Sequence, residues 1–129
     1  MNTQVEIKII DYKISDGAPA SVGDTITVNY KVAKSFEDID KGILFDNSWE
    51  KKPIEFILGN GEVLKGIDIG LDGMRIASTR RLIIHHSLAF GAIGVPGLIL
   101  PNTTLFFEIY LLKIEKAKPS SKTENIKSN

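Results

Sequence analysis

Few side chains in this sequence are of the types that carry out nucleophilic or metal chemistry. The 129 residues include no cysteine, which excludes thiol nucleophiles, thiolate metal sites and disulfides. The two histidines, His85 and His86, are adjacent; at the end of a β-strand they would point to opposite faces and could not bind one metal ion together. No serine lies in a Gly-x-Ser-x-Gly elbow. We therefore expect no metal, no cofactor and no covalent step.

Two further segments contain residues that sometimes do chemistry. GNGEVLKG, residues 59–66, has glycines before an apolar stretch, but it lacks the order of a phosphate-binding loop. In ILFDNSWEKKPIEF, residues 43–56, Asp46 directly follows Phe45. An isolated Asp in this setting fits a turn or cap residue, and a catalytic carboxylate is the alternative. The local sequence favours the turn or cap.

The most informative segment is HSLAFGAIGVPGLILPNT, residues 86–103. It has no periodicity and contains three glycines and two prolines, yet it carries seven large apolar residues. A long irregular segment in a compact domain is usually functional or disordered, and so apolar a composition does not fit disorder. The segment is therefore either a lid over the core or one wall of an apolar binding groove. The pattern alone leaves both open.

Alternation of apolar and polar residues predicts the elements that would position these segments. Five β-strands are expected, at residues 5–10, 24–33, 54–58, 80–85 and 104–114. The last of them, TLFFEIYLLKI, is apolar on both faces. A strand of that kind is expected near the centre of a sheet.

A single short helix is expected between the third and fourth strands. Its apolar residues follow a 3.6-residue period: Leu64, Ile67, Leu71 and Met74. Two to three turns are not stable alone, so the helix must pack on the inner face of the sheet. Gly costs about 1 kcal/mol against Ala inside a helix, but Gly66 and Gly70 would let the sheet approach closely, and Gly73 suits a left-handed C-cap. We predict an α+β domain, with antiparallel strands curled around one short helix.

The charge distribution separates a domain from a tail. The chain has 16 basic and 16 acidic residues, but residues 116–129 hold four lysines and one glutamate. This polar, lysine-containing tail is expected to be disordered, which leaves residues 1–115 as the domain. A nucleic-acid-binding protein would need a basic stripe on the domain itself, so no nucleic acid partner is expected.

The hydrophobicity of the sequence bears on membranes and location. No apolar run approaches the roughly 20 residues that span a bilayer, and the first residues lack a basic segment followed by a long apolar stretch. We expect a cytoplasmic protein that does not bind a membrane.

A set of motifs in a fixed order resembles the FKBP-type peptidyl-prolyl cis-trans isomerases. Along residues 24–114 these motifs are FD at 45–46, FILGNGEVLKG at 56–66, GLDGM at 70–74, RRLII at 80–84, AFG at 89–91 and PNTTLFF at 101–107. An insertion in KSFEDIDKGI, residues 34–43, is the main length difference and resembles a lengthened strand–bulge–strand connection. The family fold is a curled five- or six-stranded antiparallel sheet wrapped on a short helix, with an apolar pocket between them. The resemblance therefore favours the groove for residues 86–103.

Carried over by position, the resemblance implies a set of pocket residues. The catalytic residues would be Tyr30, Phe45, Asp46, Phe90 and Phe107. The substrate-binding residues would be Ile54, Val63, Leu64, Ile67, Leu98 and Ile99. In the family, the backbone N–H at the position of Leu64 and an aromatic hydroxyl at that of Phe90 donate to carbonyls of the bound ligand.

Three departures from the family pattern concern the walls of this pocket. Ile67 stands where the family usually has a Trp floor, Ile54 replaces an aromatic wall, and Phe90 replaces a Tyr. The resemblance therefore implies a wider, less aromatic pocket with fewer hydrogen-bond donors.

The implied activity is isomerisation of Xaa-Pro bonds, assisting protein folding, with Xaa-Pro-containing polypeptides as partners and macrolides as possible ligands. Rotation about the planar amide meets a barrier of about 18–20 kcal/mol, and lowering it needs no acid, base or metal. The alternative, favoured by Ile67 and Phe90, is a non-catalytic or weakly active module that binds proline-containing or apolar segments.

Overall fold

A computed structural model describes residues 6–118. Within this range the chain forms one antiparallel sheet of β1 (Ile7–Lys13), β2 (Thr25–Ala33), β3 (Asp46–Asn47), β4 (Ile54–Ile57), β5 (Thr79–Ile84) and β6 (Leu105–Glu115). The strand order is β1-β5-β6-β2-β3, and β4 also pairs with β2. Two short α-helices accompany the sheet: α1 (Phe36–Lys41) and α2 (Lys65–Gly70). The predicted α+β architecture is confirmed.

Strand β6 lies at the centre of the sheet, between β5 and β2, as its two apolar faces predicted. The side chains that it directs to the inner face are buried: Leu105, Phe107, Ile109 and Leu111. On β2, Ile26, Val28 and Val32 are buried in the same core cluster. Because side chains alternate between the two faces of a strand, these residues of β2 and β6 form one continuous apolar surface on the inner face of the sheet.

Helix α2 packs on that inner face, as its short length required. Ile67, Leu71 and Met74 are all buried in the core. A Cβ added to Gly66 would overlap the side chain of Ile84, so the sheet comes too close to the helix for any larger residue. The predicted C-cap is wrong, because the helix ends at Gly70 with Leu71 as its cap. Gly73 (φ 80°) instead lies in the following turn.

Helix α1 occupies the segment that was expected to be a strand–bulge–strand connection, and that expectation is wrong. The Ser35 side chain caps the helix by accepting the Asp38 N–H, and Gly42 ends it in a left-handed conformation. The Phe36 ring packs edge-on against Phe106, with 4.9 Å between ring centroids. Only six residues long, the helix is held by these caps and by its packing on β6.

A second anchor of α1 is the guanidinium of Arg81 on β5. It forms an ion pair of 2.6 Å with Asp40 of α1 and one of 2.8 Å with Glu108 of β6. The same guanidinium lies between the rings of Tyr12 and Phe36, at 4.3 and 4.8 Å from their centroids. A positive charge stacked on two rings and paired with two carboxylates fixes the helix to the outer face of the sheet.

The two histidines do not point to opposite faces, because neither lies on a strand. β5 ends at Ile84, and His86–Leu88 form a 3-10 turn that His85 precedes. The two rings stack with 4.1 Å between centroids. This corrects the sequence-based expectation, which assumed that strand geometry continued through both residues.

The first residues of the predicted tail contact the domain. Lys116 forms an ion pair of 2.9 Å with Asp24, and the Ala117 N–H donates to the same carboxylate at 2.9 Å. The remainder of the predicted tail from residue 119, like residues 1–5, lies outside the described residues, so the domain boundary at 115 stays a prediction. No helix in residues 6–118 is long and apolar enough to cross a membrane.

Candidate active site

A cavity of about 420 Å³ lies between α2, the inner face of the sheet and the 86–103 loop. Strand β2 contributes Val28, Tyr30 and Val32, and β6 contributes Phe107 and Ile109. The other lining residues are Asp46, Ile54, Val63, Leu64, Ile67, Phe90, Val95, Leu98 and Ile99. Asp46 is the only charged residue in this lining. The cavity is therefore a site for an apolar group, with polar atoms at one side.

The structure brings together every predicted site residue except Phe45. Phe45 is not among the residues that line the cavity, and its partly buried side chain packs against the same core cluster as Tyr30 and Ile54. Val28 and Val32 were missed, although they alternate with Tyr30 on β2, and Ile109 was missed although it follows Phe107 by two residues. The two-residue period of the strands could have identified all three. Val95 had no such signal.

Ile67 and Phe107 both line the cavity and are each only 6% exposed. Phe107 packs against the Tyr30 ring with 6.3 Å between centroids and an angle of 52° between planes. Ile67 lies in the lining of the cavity, and its role as the floor stays a prediction. The aromatic part of the lining comes from Tyr30, Phe90 and Phe107.

The loop of residues 86–103 forms a wall of the cavity, which supports the groove rather than the lid. Val95 and Ile99 form an isolated antiparallel bridge in which each N–H donates to the other residue's carbonyl at 2.8 Å. This bridge closes a tight turn and directs apolar side chains to the cavity. Ile93 and Leu100 remain 79% and 77% exposed on the same loop, so the loop adds apolar surface outside the cavity as well.

The polar atoms of the site belong to one connected network. The Tyr30 hydroxyl donates to Oδ2 of Asp46 at 2.6 Å, and Lys51 Nζ donates to Oδ1 at 2.6 Å. The Asn47 N–H also donates to Oδ1, at 2.8 Å. Behind them, the Tyr30 N–H donates to the Ser48 hydroxyl at 2.7 Å, which ties β2 to the turn after β3. The Tyr30 backbone and the Tyr30 hydroxyl are therefore each held by a hydrogen bond.

This network sets the protonation of its two titratable members. Burial alone would raise the pKa of the Asp46 carboxyl, but hydrogen bonds from Lys51, Tyr30 and Asn47 outweigh it and hold that pKa below its usual range. Burial, together with the hydrogen bond to Asp46 and its negative charge, raises the pKa of Tyr30 to about 12. At neutral pH the carboxylate is ionised and the phenol keeps its proton.

The chemistry open to this arrangement is desolvation and shape selection. The one hydroxyl beside a carboxylate in the lining is that of Tyr30, and it keeps its proton because its pKa is raised to about 12, so the pair does not supply the activated nucleophile that covalent catalysis requires. Residues 6–118 contain no cluster of three or more side chains suited to hold a metal ion. An apolar, amide-containing segment could enter, lose its water and meet the Tyr30–Asp46 pair at the edge.

Comparisons with known proteins agree on one family. A family model described as FKBP-type peptidyl-prolyl cis-trans isomerase matches residues 17–112. FK506-binding protein 4 of Neurospora crassa is 40% identical over 109 residues, which are 84% of this chain and 22% of that protein. FK506-binding protein 4 of Emericella nidulans is 41% identical over 107 residues, 83% of this chain and 21% of that protein. The chain thus spans about a fifth of the length of these curated relatives.

A solved structure is also similar. The peptidyl-prolyl cis-trans isomerase from Pseudomonas syringae pv. tomato superposes with a TM-score of 0.70 at 28% sequence identity. The match covers 85% of this chain and 76% of that one.

Proposed function

Because the chain belongs to the FKBP-type peptidyl-prolyl cis-trans isomerase family, we propose that its cavity binds the proline of an Xaa-Pro segment and catalyses cis-trans isomerisation. One observation carries this proposal: a cavity of about 420 Å³ whose lining holds a single charged residue, which is paired with a partly buried phenol. The site accepts a compact apolar ring and offers nothing for hydrolysis or group transfer.

The catalytic effect follows from the electronic structure of the amide. Resonance makes the planar amide charge-separated, whereas the amide twisted by 90° is less so, and water therefore stabilises the planar form preferentially. Moving the bond into an apolar cavity removes that preference. Each reduction of the barrier by roughly 1.36 kcal/mol makes the reaction tenfold faster. Removing a few kcal/mol from a barrier of about 18–20 kcal/mol therefore gives a large acceleration without any covalent step.

The walls select the proline ring and the twisted form. Tyr30, Phe90 and Phe107 offer aromatic surfaces in the cavity lining. The Leu64 N–H has no acceptor within residues 6–118 and is available to a carbonyl of the bound segment. Binding that is stronger in the twisted than in the planar form is what lowers the barrier.

Asp46 has two candidate roles, to orient Tyr30 or to interact with the twisted carbonyl carbon. The hydrogen bond of 2.6 Å between the two side chains supports the first. Both oxygens of Asp46 already accept hydrogen bonds, from Tyr30, Lys51 and Asn47. We assign to Asp46 the orientation of the phenol.

Natural substrates follow from this chemistry. Unfolded or flexible polypeptides expose Xaa-Pro bonds, so assistance to protein folding is the proposed role. Macrolides of the type that gives FK506-binding relatives their name are proposed ligands of the same cavity. A cytoplasmic location remains part of the proposal.

A second candidate function is a binding module that holds a proline-containing segment without accelerating its isomerisation. Ile67 and Phe90 favour it, because an aliphatic floor and a ring without a hydroxyl offer weaker complementarity to a twisted amide. The cavity would be the same, and only the rate would differ.

The test is a coupled isomerisation assay on proline peptides with two variants of adjacent residues. Phe107 lies in the cavity, whereas Phe106 points to the other face and packs on α1. Phe107→Leu should lower kcat/KM by about tenfold, equivalent to about 1.4 kcal/mol of transition-state binding, and Phe106→Leu should leave it within twofold. Peptide binding without rate enhancement in the wild type would establish the binding module instead. Absence of both binding and catalysis would reject both candidates.

A further inference from the structure

The segment between β4 and α2 has no regular structure of its own. Gly59 and Gly61 both adopt left-handed conformations (φ 85° and 75°), and residues 59–62 are exposed. Val63 and Leu64 follow directly and line the cavity. An exposed turn with two glycines holds one shape only if side chains fix its backbone.

The carboxylate of Asp68 holds both glycines, while Glu62 within the turn accepts hydrogen bonds from the Ile57 N–H at 3.3 Å and from Asn60 Nδ2 at 2.7 Å. Asp68 accepts the Gly59 N–H at Oδ1 and the Gly61 N–H at Oδ2, each at 2.9 Å. Hydrogen bonds from backbone N–H groups to an ionised carboxylate are among the stronger ones in proteins. Each oxygen holds one amide, so a side chain with a different reach or with one acceptor cannot make the same pair.

Asp68 also lies next to the predicted floor of the cavity in sequence. It follows Ile67 on α2, and both the Ile67 and Asp68 N–H groups donate to the Leu64 carbonyl, at 2.9 and 3.1 Å. The start of α2 thus fixes the end of the turn, and the Asp68 carboxylate fixes its beginning. Val63 lies between these two attachments.

We propose that Asp68 is a positioning residue for the substrate-binding wall formed by Val63 and Leu64. It touches no substrate; it holds the wall at a constant distance from the Ile67 floor and keeps the Leu64 N–H aimed at the cavity. This inference rests on the proposed function of the cavity. With the attachment lost, a bound peptide must order the turn itself, which weakens binding in the ground and transition states alike.

The experiment compares Asp68→Asn with Asp72→Asn. Asp72 lies just beyond the same helix, and its carboxylate makes no hydrogen bond or ion pair with any other residue of the described chain. Both variants lose one negative charge, but only Asp68→Asn alters hydrogen bonds to the turn. Asp68→Asn should raise KM for a proline peptide by about tenfold and leave kcat within twofold, because binding would weaken equally in the ground state and in the transition state. Asp72→Asn should change neither constant.

Amide hydrogen exchange measured by NMR supplies a readout that does not depend on activity. In Asp68→Asn, exchange should accelerate at Gly59, Gly61, Val63 and Leu64 and stay unchanged on β2. Asp68→Glu keeps the charge but has a longer side chain. It should show a smaller change of the same kind, and it replaces Asp68→Asn in the experiment if that variant does not fold.

The outcomes are distinct. Faster exchange at the two glycines alone, with Val63, Leu64 and KM unchanged, would overturn the inference, because the attachment would then be local. A fall in kcat with unchanged KM would also overturn it. If the wild-type protein does not accelerate isomerisation, the proposed function fails, and exchange at Val63 and Leu64 together with peptide affinity still decides whether Asp68 positions the wall.

Discussion

The phenol of Tyr30 and the carboxylate of Asp46 are joined across two neighbouring strands by a hydrogen bond of 2.6 Å at the edge of the cavity. The bond crosses from β2 to β3, which pair at Lys31–Asn47 and Val32–Asp46. Because Lys51 and the Asn47 N–H hold the other oxygen of Asp46, the carboxylate is a fixed acceptor. The Tyr30 ring is therefore held in one orientation against Phe107.

Tyr30→Phe tests what that orientation contributes. The change keeps the ring and its packing but leaves Oδ2 of Asp46 without its donor, so kcat/KM for proline peptides should fall by about three- to tenfold, or about 0.7–1.4 kcal/mol. Tyr110→Phe is the matched control, since Tyr110 packs on Trp49 away from the cavity. An unchanged kcat/KM in Tyr30→Phe would show that the hydroxyl has no part in catalysis.

Alkaline pH should weaken this bond in a predictable direction. The pKa of Tyr30 is raised to about 12 in the folded protein, against about 10 for an unfolded tyrosine. A group whose folded pKa is raised stabilises the protein fully below the unfolded value, and that stability is lost as the pH rises from about 10 through about 12. The difference in urea midpoint between wild type and Tyr30→Phe should therefore stay constant between about pH 6 and about pH 9 and should shrink above about pH 10.

Low pH should remove the stability that Asp46 contributes, whereas high pH removes the contribution of Tyr30. Its folded pKa is lowered, so the stability that it contributes is present above its unfolded value of about 3.9 and is lost as the pH falls through the folded value. Neither group changes charge near neutrality. A pH profile of kcat/KM with a step between about pH 6 and 9 would mean that a different group titrates in the reaction.

The period of the hydrophobic pattern accounts for what the sequence could predict. Strand β2 alternates apolar and polar residues, which predicted the inward direction of Tyr30, whereas β6 is apolar on both faces, which predicted its central position in the sheet. Helix α1 was not predicted, although Phe36 and Ile39 are three residues apart and Ser35 and Gly42 cap it, because six residues are too few to establish a hydrophobic period. Besides its caps, it is held by Arg81 and Phe106, which are distant in sequence.

Within the site, the sequence predicted which residues meet but not how the polar ones are linked. Motif order identified Asp46, whereas the involvement of Lys51 depends on the 3-10 turn at Ser48–Glu50, which brings the lysine back to the carboxylate. The local sequence does not indicate that the Lys51 side chain contacts Asp46. The family resemblance placed Phe45 among the pocket residues, but Phe45 is not among the residues that line the cavity.

Gly66→Ala should destabilise the protein although it improves the helix. Ala is favoured over Gly inside a helix by about 1 kcal/mol, but the added Cβ would overlap Ile84, which is fully buried and cannot move aside. Overpacking of this kind costs about 1–3 kcal/mol or more, so the free energy of unfolding in urea should fall. Lys65→Ala, at an exposed neighbouring position, should change it by less than about 0.5 kcal/mol. A more stable Gly66→Ala would show that the sheet does not approach the helix as closely as described.

Ile67→Trp tests whether this side chain is the floor of the cavity. Ile67 is 6% exposed and lines the cavity, so an indole there would replace an aliphatic wall with an aromatic one and fill part of the space. Affinity for a macrolide ligand should rise by about tenfold, equivalent to about 1.4 kcal/mol. Titration of the ligand followed by calorimetry measures it.

The matched control for this change is Ile69→Trp. Ile69 lies two residues further along α2 but is 46% exposed and outside the cavity lining, so it gains the same indole without altering the floor. Its affinity should match the wild type. Because an indole in a packed site can cost about 1–3 kcal/mol, both variants are first checked for folding by thermal denaturation. A folded Ile67→Trp variant with wild-type affinity would show that Ile67 is not the surface on which the ligand rests.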